Sequence, residues 1–185
     1  MARIRIHPPV NVDELVIREY RMDDLEALDA AIVRNREYLL PWIGPWIKAE
    51  PIGLDARRAL LQEWVDSYAD GADNPVGIFI GDEFVGGTGL HDRNKPGDVE
   101  IGYWVDEAQQ GKGIATRVTA ALLALAFTAP AVERFLLVHN LGNDKSRRIP
   151  EKLGFREVPG THECSGDAAK MWEFTRAMWD AREQF

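Results

Sequence analysis

The stretch Gln110-Gly-Lys-Gly-Ile-Ala-Thr116 has the residue types of an anion cradle. It lies between a strand-like run and a run of helical periodicity, so its glycines lead into a helix N-terminus. A helix start leaves unpaired N–H groups aimed outward and carries partial positive charge. Gly111 and Gly113 allow the main chain to come close to an anion, so a pyrophosphate would be held mostly by backbone. Three other readings compete. A P-loop requires G-x-x-x-x-G-K-[ST], whereas Lys112 stands between the two glycines, which rules that motif out. A dinucleotide-binding turn requires G-x-G-x-x-G, but Thr116 stands in place of the third glycine. The strand that follows also ends at His139–Asn140 with no acidic residue for a ribose, and too little chain remains for a doubly wound half plus a substrate domain. The third reading is a glycine-rich helix start that binds nothing.

The elements that must position this loop follow from periodicity. Leu15 to Arg18 alternates as a short strand, and Asp23–Asp24 opens a helix to about Tyr38 with Leu25, Leu28 and Ile32 at helical spacing. Two prolines and a glycine within Tyr38 to Trp46 predict irregular backbone there. A second helix is expected over Leu54 to Ala69, with Leu60, Leu61, Trp64 and Tyr68 on one face. Val76 to Ile80 and Glu83 to Leu90 read as a hairpin about Gly81–Asp82, Asn94 to Asp98 as a turn, and Val99 to Val105 as a third strand. Glu107 to Gly113 is a polar loop. The helix after it carries Ile114, Val118, Leu122 and Leu125 on one stripe and ends at Pro130. A strand over Arg134 to His139, a short helix over Asn143 to Leu153 and a hairpin over Phe155 to Thr161 and Ala169 to Met178 complete the order. The expected fold class is α/β (α+β), a mixed and mostly antiparallel sheet flanked by helices, with residues 1–185 as one domain.

Composition bounds the rest. With 45% hydrophobic and 28% charged residues, the chain has the balance of a soluble globule. A domain of 185 residues buries roughly 70% of its unfolded surface and folds without staples. Cys164 is the only cysteine, which excludes an internal disulfide and a cysteine metal cluster, and no metal is expected. That usage fits a reducing compartment. Met1 to Val10 lacks an apolar core, so no secretory leader is expected, and Val118 to Val132 is too short and interrupted to span a bilayer. The chain is therefore placed in the cytoplasm, without a membrane partner. A formal charge of −8 and a pI near 5 argue against nucleic acid and suit a cationic partner or plain solubility.

The run Gln110-x-x-Gly113-x-Ala115 resembles the acetyl-CoA pyrophosphate signature of the GNAT acetyltransferases, Q/R-x-x-G-x-G/A. Glu100-Ile-Gly-Tyr-Trp-Val105, Asn140-x-x-Asn143-x-x-Ser146, Glu151-Lys-Leu-Gly-Phe155 and Asn35-Arg-Glu-Tyr-Leu-Leu-Pro-Trp42 have the look of the RimJ/RimL branch. The resemblance covers most of the chain. It implies a GNAT fold whose sheet splays at the acyl-CoA cleft, and N-acetyl transfer from acetyl-CoA, or another short acyl-CoA, to a primary amine such as a basic protein N-terminus. It places the donor on Tyr103, Trp104 and Val105 and on the loop Gln110, Gly111, Lys112, Gly113, Ile114, Ala115 and Thr116. A main-chain N–H near Trp104 or Val105 would polarise the thioester carbonyl. Ser146 would protonate the departing thiolate, and Asn143 would orient the pantetheine or Ser146 itself.

Glu100 and His91 are the general-base candidates under this resemblance, and Trp42 and Trp46 would wall the acceptor site. Plainer readings of the same residues stay open: helix capping for Asn143 and Ser146, an exposed strand carboxylate for Glu100, a surface residue for His91, and core plugs for the tryptophans. Cys164 has no identifiable partner base. Met171 to Trp179 reads as a strand with one buried face. The polar, glycine-broken stretch Thr161 to Asp167 departs from relatives, which carry a longer regular hairpin; acceptor recognition and a homodimer surface are the properties it bears on. A non-catalytic acyl-CoA sensor is the rival from another functional class, and a nicotinamide-dinucleotide-binding protein the third.

Overall fold

The computed structural model describes residues 6, 9–50, 53–70, 75–92, 95–164 and 166–182. The chain forms two compact units, one carrying Arg5–Gly89 and Tyr103–Ile114, the other Leu90–Gly102 and Ala115–Phe185.

In the first unit, β1 (Val10–Val12), β2 (Leu15–Arg18), β3 (Val76–Ile80) and the larger part of β4 (Glu83–Asp92) pair antiparallel in chain order. The sequence reading did not anticipate β1. Leu15 and Ile17 of β2 point inward and are fully buried, as strand alternation requires. The helices α1 (Leu25–Ala49) and α2 (Leu54–Tyr68) belong to the same unit. Buried Arg57 of α2 reaches Asp29 near the start of α1 at 3.4 Å and also pairs with Glu50 at its end. One guanidinium thus fixes α2 against both ends of α1 and leaves neither buried charge unpaired.

The expectation of irregular backbone over Tyr38 to Trp46 is corrected by α1. The helix runs on through both prolines and breaks only at Ile43, with φ −129° and ψ 38°. The reason lies in where the prolines fall. Pro45 follows the break, where a first-turn N–H would have had no partner, and Pro41 precedes it, so the lost hydrogen bonds cluster at one kink.

In the second unit, β5 (Asp98–Val105) pairs parallel with β6 (Arg134–Asn140) over Asp98–Ile101 and Arg134–Leu137, with α3 (Ile114–Phe127) as the crossover helix. The strand β6 pairs antiparallel with β8 (Asp167–Thr175), which pairs with β7 (Arg156–Cys164). The helix α4 (Asp144–Leu153) joins β6 to β7. Phe135, Phe155 and Phe174 make edge-on contacts at 6.1 and 5.3 Å and form the core of this unit. The fold class is as expected, mixed α/β with mostly antiparallel pairing, eight strands and five α-helices among the described residues.

Two expectations about the C-terminal region are corrected. The last strand ends at Thr175, and Arg176–Arg182 forms a helix, α5. Thr175 Oγ1 accepts the Met178 N–H at 3.3 Å as a cap. The Arg176 guanidinium donates to the carbonyls of Phe127, Ala129 and Val132 at 2.7–3.2 Å, and Trp179 stacks on Phe127. Those bonds turn the chain out of the sheet. Nor is the hairpin cut short at Thr161. The strand β7 continues to Cys164, and a register shift between Val158 and His162 absorbs the irregularity. Pro159 cannot donate to the ladder, and Gly160 takes φ +124°. No helix among the described residues is long and apolar enough to cross a membrane.

Candidate active site

The candidate phosphate loop belongs to the first unit as far as Ile114 and is anchored before it begins. Asp106, 3% exposed, ends β5 and caps a 3-10 turn over Glu107–Gln109 by accepting the Ala108 N–H at 3.0 Å. Its own N–H donates to the Val85 carbonyl at 2.9 Å. From α1, Arg34 reaches Asp106 through Nε at 3.1 Å and through Nη2. Next to it, Asn35, fully buried, accepts the Glu107 N–H on Oδ1 at 2.8 Å and donates Nδ2 to the Ala31 carbonyl at 2.9 Å. Burial alone would push the Asp106 carboxyl up. The bonds from Arg34, Ala108 and Asn35 outweigh it and hold the group below the usual aspartate range. It is thus a fixed anion at neutral pH.

Beyond this anchor the main chain opens. Gly111 and Gly113 have φ +75° and +72°, and a Cβ at either would meet nothing within 4 Å. The glycines are therefore required by conformation rather than by crowding, and the backbone is accessible to a ligand. Ile114, nearly fully buried, then starts α3. Lys112 donates to Gln109, whose amide donates to Glu83 at 2.7 Å. An accessible loop with two left-handed glycines at a helix N-terminus fits a pyrophosphate.

The end of β5 is held by its neighbours in the same unit. Trp104 is buried, edge-on to Phe84 at 5.7 Å and tilted against Trp46 at 6.4 Å. Tyr103 and Val105 are half-buried, as are Trp42 and Trp46. This close approach needs Gly86 and Gly87 of β4, because an added Cβ would lie 2.3 Å from the Trp104 carbonyl oxygen or 2.6 Å from its Nε1. The backbone oxygen cannot move aside cheaply. Gly86→Ala is therefore expected to lower unfolding stability by about 1–3 kcal/mol, as overpacking does, measured by denaturant titration. Gly44→Ala, where a Cβ meets nothing within 4 Å and φ is not left-handed, serves as the uncrowded comparison.

The second unit holds the other candidates. Asn143 caps α4, its Oδ1 accepting the Ser146 N–H at 3.1 Å, so these two residues are brought together. Gly154, at φ +79°, ends the helix, and the Phe155 N–H returns to the Pro150 carbonyl at 2.9 Å. His91 lies across Gly102, where an added Cβ would be 3.1 Å from its Nε2. Glu100 stands two residues before Gly102 and so projects from the same face of β5. Among the described residues no cluster of three or more His, Cys, Asp or Glu could hold a metal ion.

Sequence reasoning missed Arg34, Asn35 and Asp106 as loop anchors, and Gly86 and Gly87 as the seat of Trp104. The Asn35 stretch was visible only as a resemblance. Its partners lie 72 residues away, and nothing local announces them.

An α/β domain with an open main-chain cradle at a helix N-terminus belongs to the class that binds phosphorylated carriers. The family description Acetyltransferase (GNAT) domain matches residues 14–156, and the chain belongs to that family. It is 30% identical over 147 residues to the putative ribosomal N-acetyltransferase YdaF of Bacillus subtilis (strain 168), covering 78% of this chain and 79% of that protein. Its fold is similar to RimL, a ribosomal L7/L12 alpha-N-protein acetyltransferase solved with coenzyme A, with a TM-score of 0.77 and 20% identity over 92% of this chain and 99% of that one. It is also similar in fold to RimJ of Mycobacterium smegmatis, with a TM-score of 0.73 and 24% identity over 91% and 86% of the two chains.

Proposed function

We propose that this acetyltransferase moves acetyl from acetyl-CoA to the α-amino group of a protein, with a ribosomal protein as the acceptor class, in the cytoplasm. The reading takes residues 1–185 as one catalytic domain. The open cradle at Gly111 and Gly113 is the observation that carries it, and the YdaF relative supports the acceptor class.

Main-chain N–H groups from Gln110 to Ala115 hold the pyrophosphate, with Lys112 and Thr116 at the edges of the cradle. The strand edge at Tyr103, Trp104 and Val105 takes the pantetheine arm. Acetyl-CoA supplies an acetyl thioester when bound. The acceptor nitrogen forms the new C–N bond as the C–S bond breaks. The amine proton passes to Glu100 or His91, and the Ser146 hydroxyl gives its proton to the departing sulfur. Asn143 orients Ser146. Trp42 walls the acceptor side, with Trp46 beside it. An α-amine suits this set, since its pKa near 8 leaves a fair fraction neutral at pH 7, whereas a lysine near 10.4 would need a strong base.

A thermal melt with CoA, acetyl-CoA and NADH tests the donor. Ligand at about 100 times its Kd adds roughly 2.7 kcal/mol, a rise of about 5–10 °C for a chain of this length. Both CoA species are expected to give it and NADH none. A flat melt with millimolar CoA would remove the donor assignment. Mass spectrometry of peptides bearing free α-amines or only lysine amines then tests the acceptor, with acetylation expected on the α-amine.

A further inference from the structure

We infer that the side-chain oxygen of Asn140 accepts a hydrogen bond from an amide N–H of the pantetheine arm, which makes Asn140 a donor-binding residue. The inference rests on the acyl-CoA reading above.

Asn140 is the last residue of β6 and only 6% exposed, and its Oδ1 has no hydrogen-bond partner among the described residues. A buried amide oxygen left unbonded costs stability, so it calls for a partner that the described residues do not supply. The usual tasks of an asparagine at such a turn are already met by other groups. The Asn140 carbonyl accepts the Asn143 N–H at 3.1 Å, and the Leu141 N–H goes to the Ala168 carbonyl at 2.9 Å. The cap of α4 comes from Asn143.

The neighbouring imidazole is committed as well. His139 Nε2 accepts the Trp172 indole N–H at 3.1 Å, which leaves Nδ1 carrying the proton, and Nδ1 donates to the Asn140 main-chain oxygen at 3.0 Å. The position adds a second reason. The register of β6 with β5 ends at Leu137, whereas with β8 it continues to Asn140 opposite Ala169. Asn140 therefore lies past the end of the parallel ladder, at the start of the connection that carries Asn143 and Ser146. The pantetheine arm carries two amide N–H groups besides its carbonyls and hydroxyl, and an isolated buried acceptor is the complement of an amide N–H.

The test is Asn140→Leu, close in shape and without polar atoms, with Asn140→Ala beside it in case the leucine packs poorly. Without ligand, Asn140→Leu is expected to melt about 2–4 °C above the parent, because an orphaned polar group has been removed. Titration calorimetry with CoA is expected to give a Kd about tenfold higher for both variants. The acceptor KM at saturating acetyl-CoA is expected to stay within about twofold. A parent protein that binds no CoA overturns the donor reading and this inference with it. A parent that binds CoA while both variants bind it equally well overturns the inference alone. A changed acceptor KM with an unchanged CoA Kd also overturns it, since Oδ1 would then serve the amine.

Discussion

Ser146→Ala is expected to slow acetyl transfer about 100-fold or more while the CoA Kd stays within about threefold, as removing a proton donor from the chemical step should do. The structure makes this variant unusually clean to interpret. The capping bond that starts α4 runs from the main-chain N–H of Ser146 to Asn143 Oδ1 and does not use the hydroxyl. Alanine at this position keeps that bond and is the better helix former. The helix should therefore keep its N-cap, and a melt of the variant beside its kinetics separates any change in stability from the loss of turnover. A loss of turnover in a protein of unchanged stability would belong to the hydroxyl itself. Asn143→Ala separates less well, because losing the cap costs about 1 kcal/mol on its own. Single-turnover rates with acetyl-CoA and an α-amine peptide supply the measurement. An unchanged rate would leave Ser146 as the first turn of a helix and nothing more.

The parts of the fold that sequence disclosed are those whose cause is local. The apolar run Val76–Ile80, the turn at Gly81 and the apolar stripe from Ile114 through Leu122 each carry their own signal. The phosphate loop is legible for the same reason. A helix N-terminus and two glycines have the chemistry of an anion cradle, and the structure supplies the two left-handed φ angles. The capping role of Asn143 is equally local.

What stayed hidden depends on partners distant in sequence or on side-chain bonds that override a local bias. The two prolines between Tyr38 and Trp46 argue against a helix, yet one kink at Ile43 accommodates both. The Met171 to Trp179 run looks like a strand throughout. Only the bonds from Arg176 to three carbonyls, at Phe127, Ala129 and Val132, show why it leaves the sheet at Thr175. The loop anchor is the most consequential case. Asn35 and Arg34 sit on a helix that reads simply as amphipathic, and their polar atoms hold Asp106 and Glu107. The donor cradle thus has its foundation in the region that the resemblance assigns to the acceptor. On the proposed reading the two substrates' sites would share a support within the first unit, and a change at Asn35 should disturb the loop before it disturbs any acceptor contact.

Gly113→Val is expected to weaken CoA binding about 100-fold with little loss of fold, and it tests the cradle more directly than removing a side chain could. A Cβ at this position meets no atom within 4 Å, so the branch point itself finds open space. Its cost is conformational. At φ +72° a β-branched residue is strained by about 1–3 kcal/mol. The chain can relieve that strain only by rotating the peptide units on either side of residue 113, and those units carry the N–H groups proposed to face the phosphates. Relief of strain and loss of the cradle are the same motion. Gly81→Val isolates the first effect, since Gly81 also has positive φ, +57°, and open space, but lies in the β3–β4 turn. Both variants should lose similar stability in denaturant titrations, while only Gly113→Val should lose CoA affinity in calorimetry. If Gly113→Val bound CoA as the parent does, the pyrophosphate would not be held by this main chain. The proposed roles of Lys112 and Thr116 would then fall with it, because both depend on a phosphate being seated between Gly111 and Ile114.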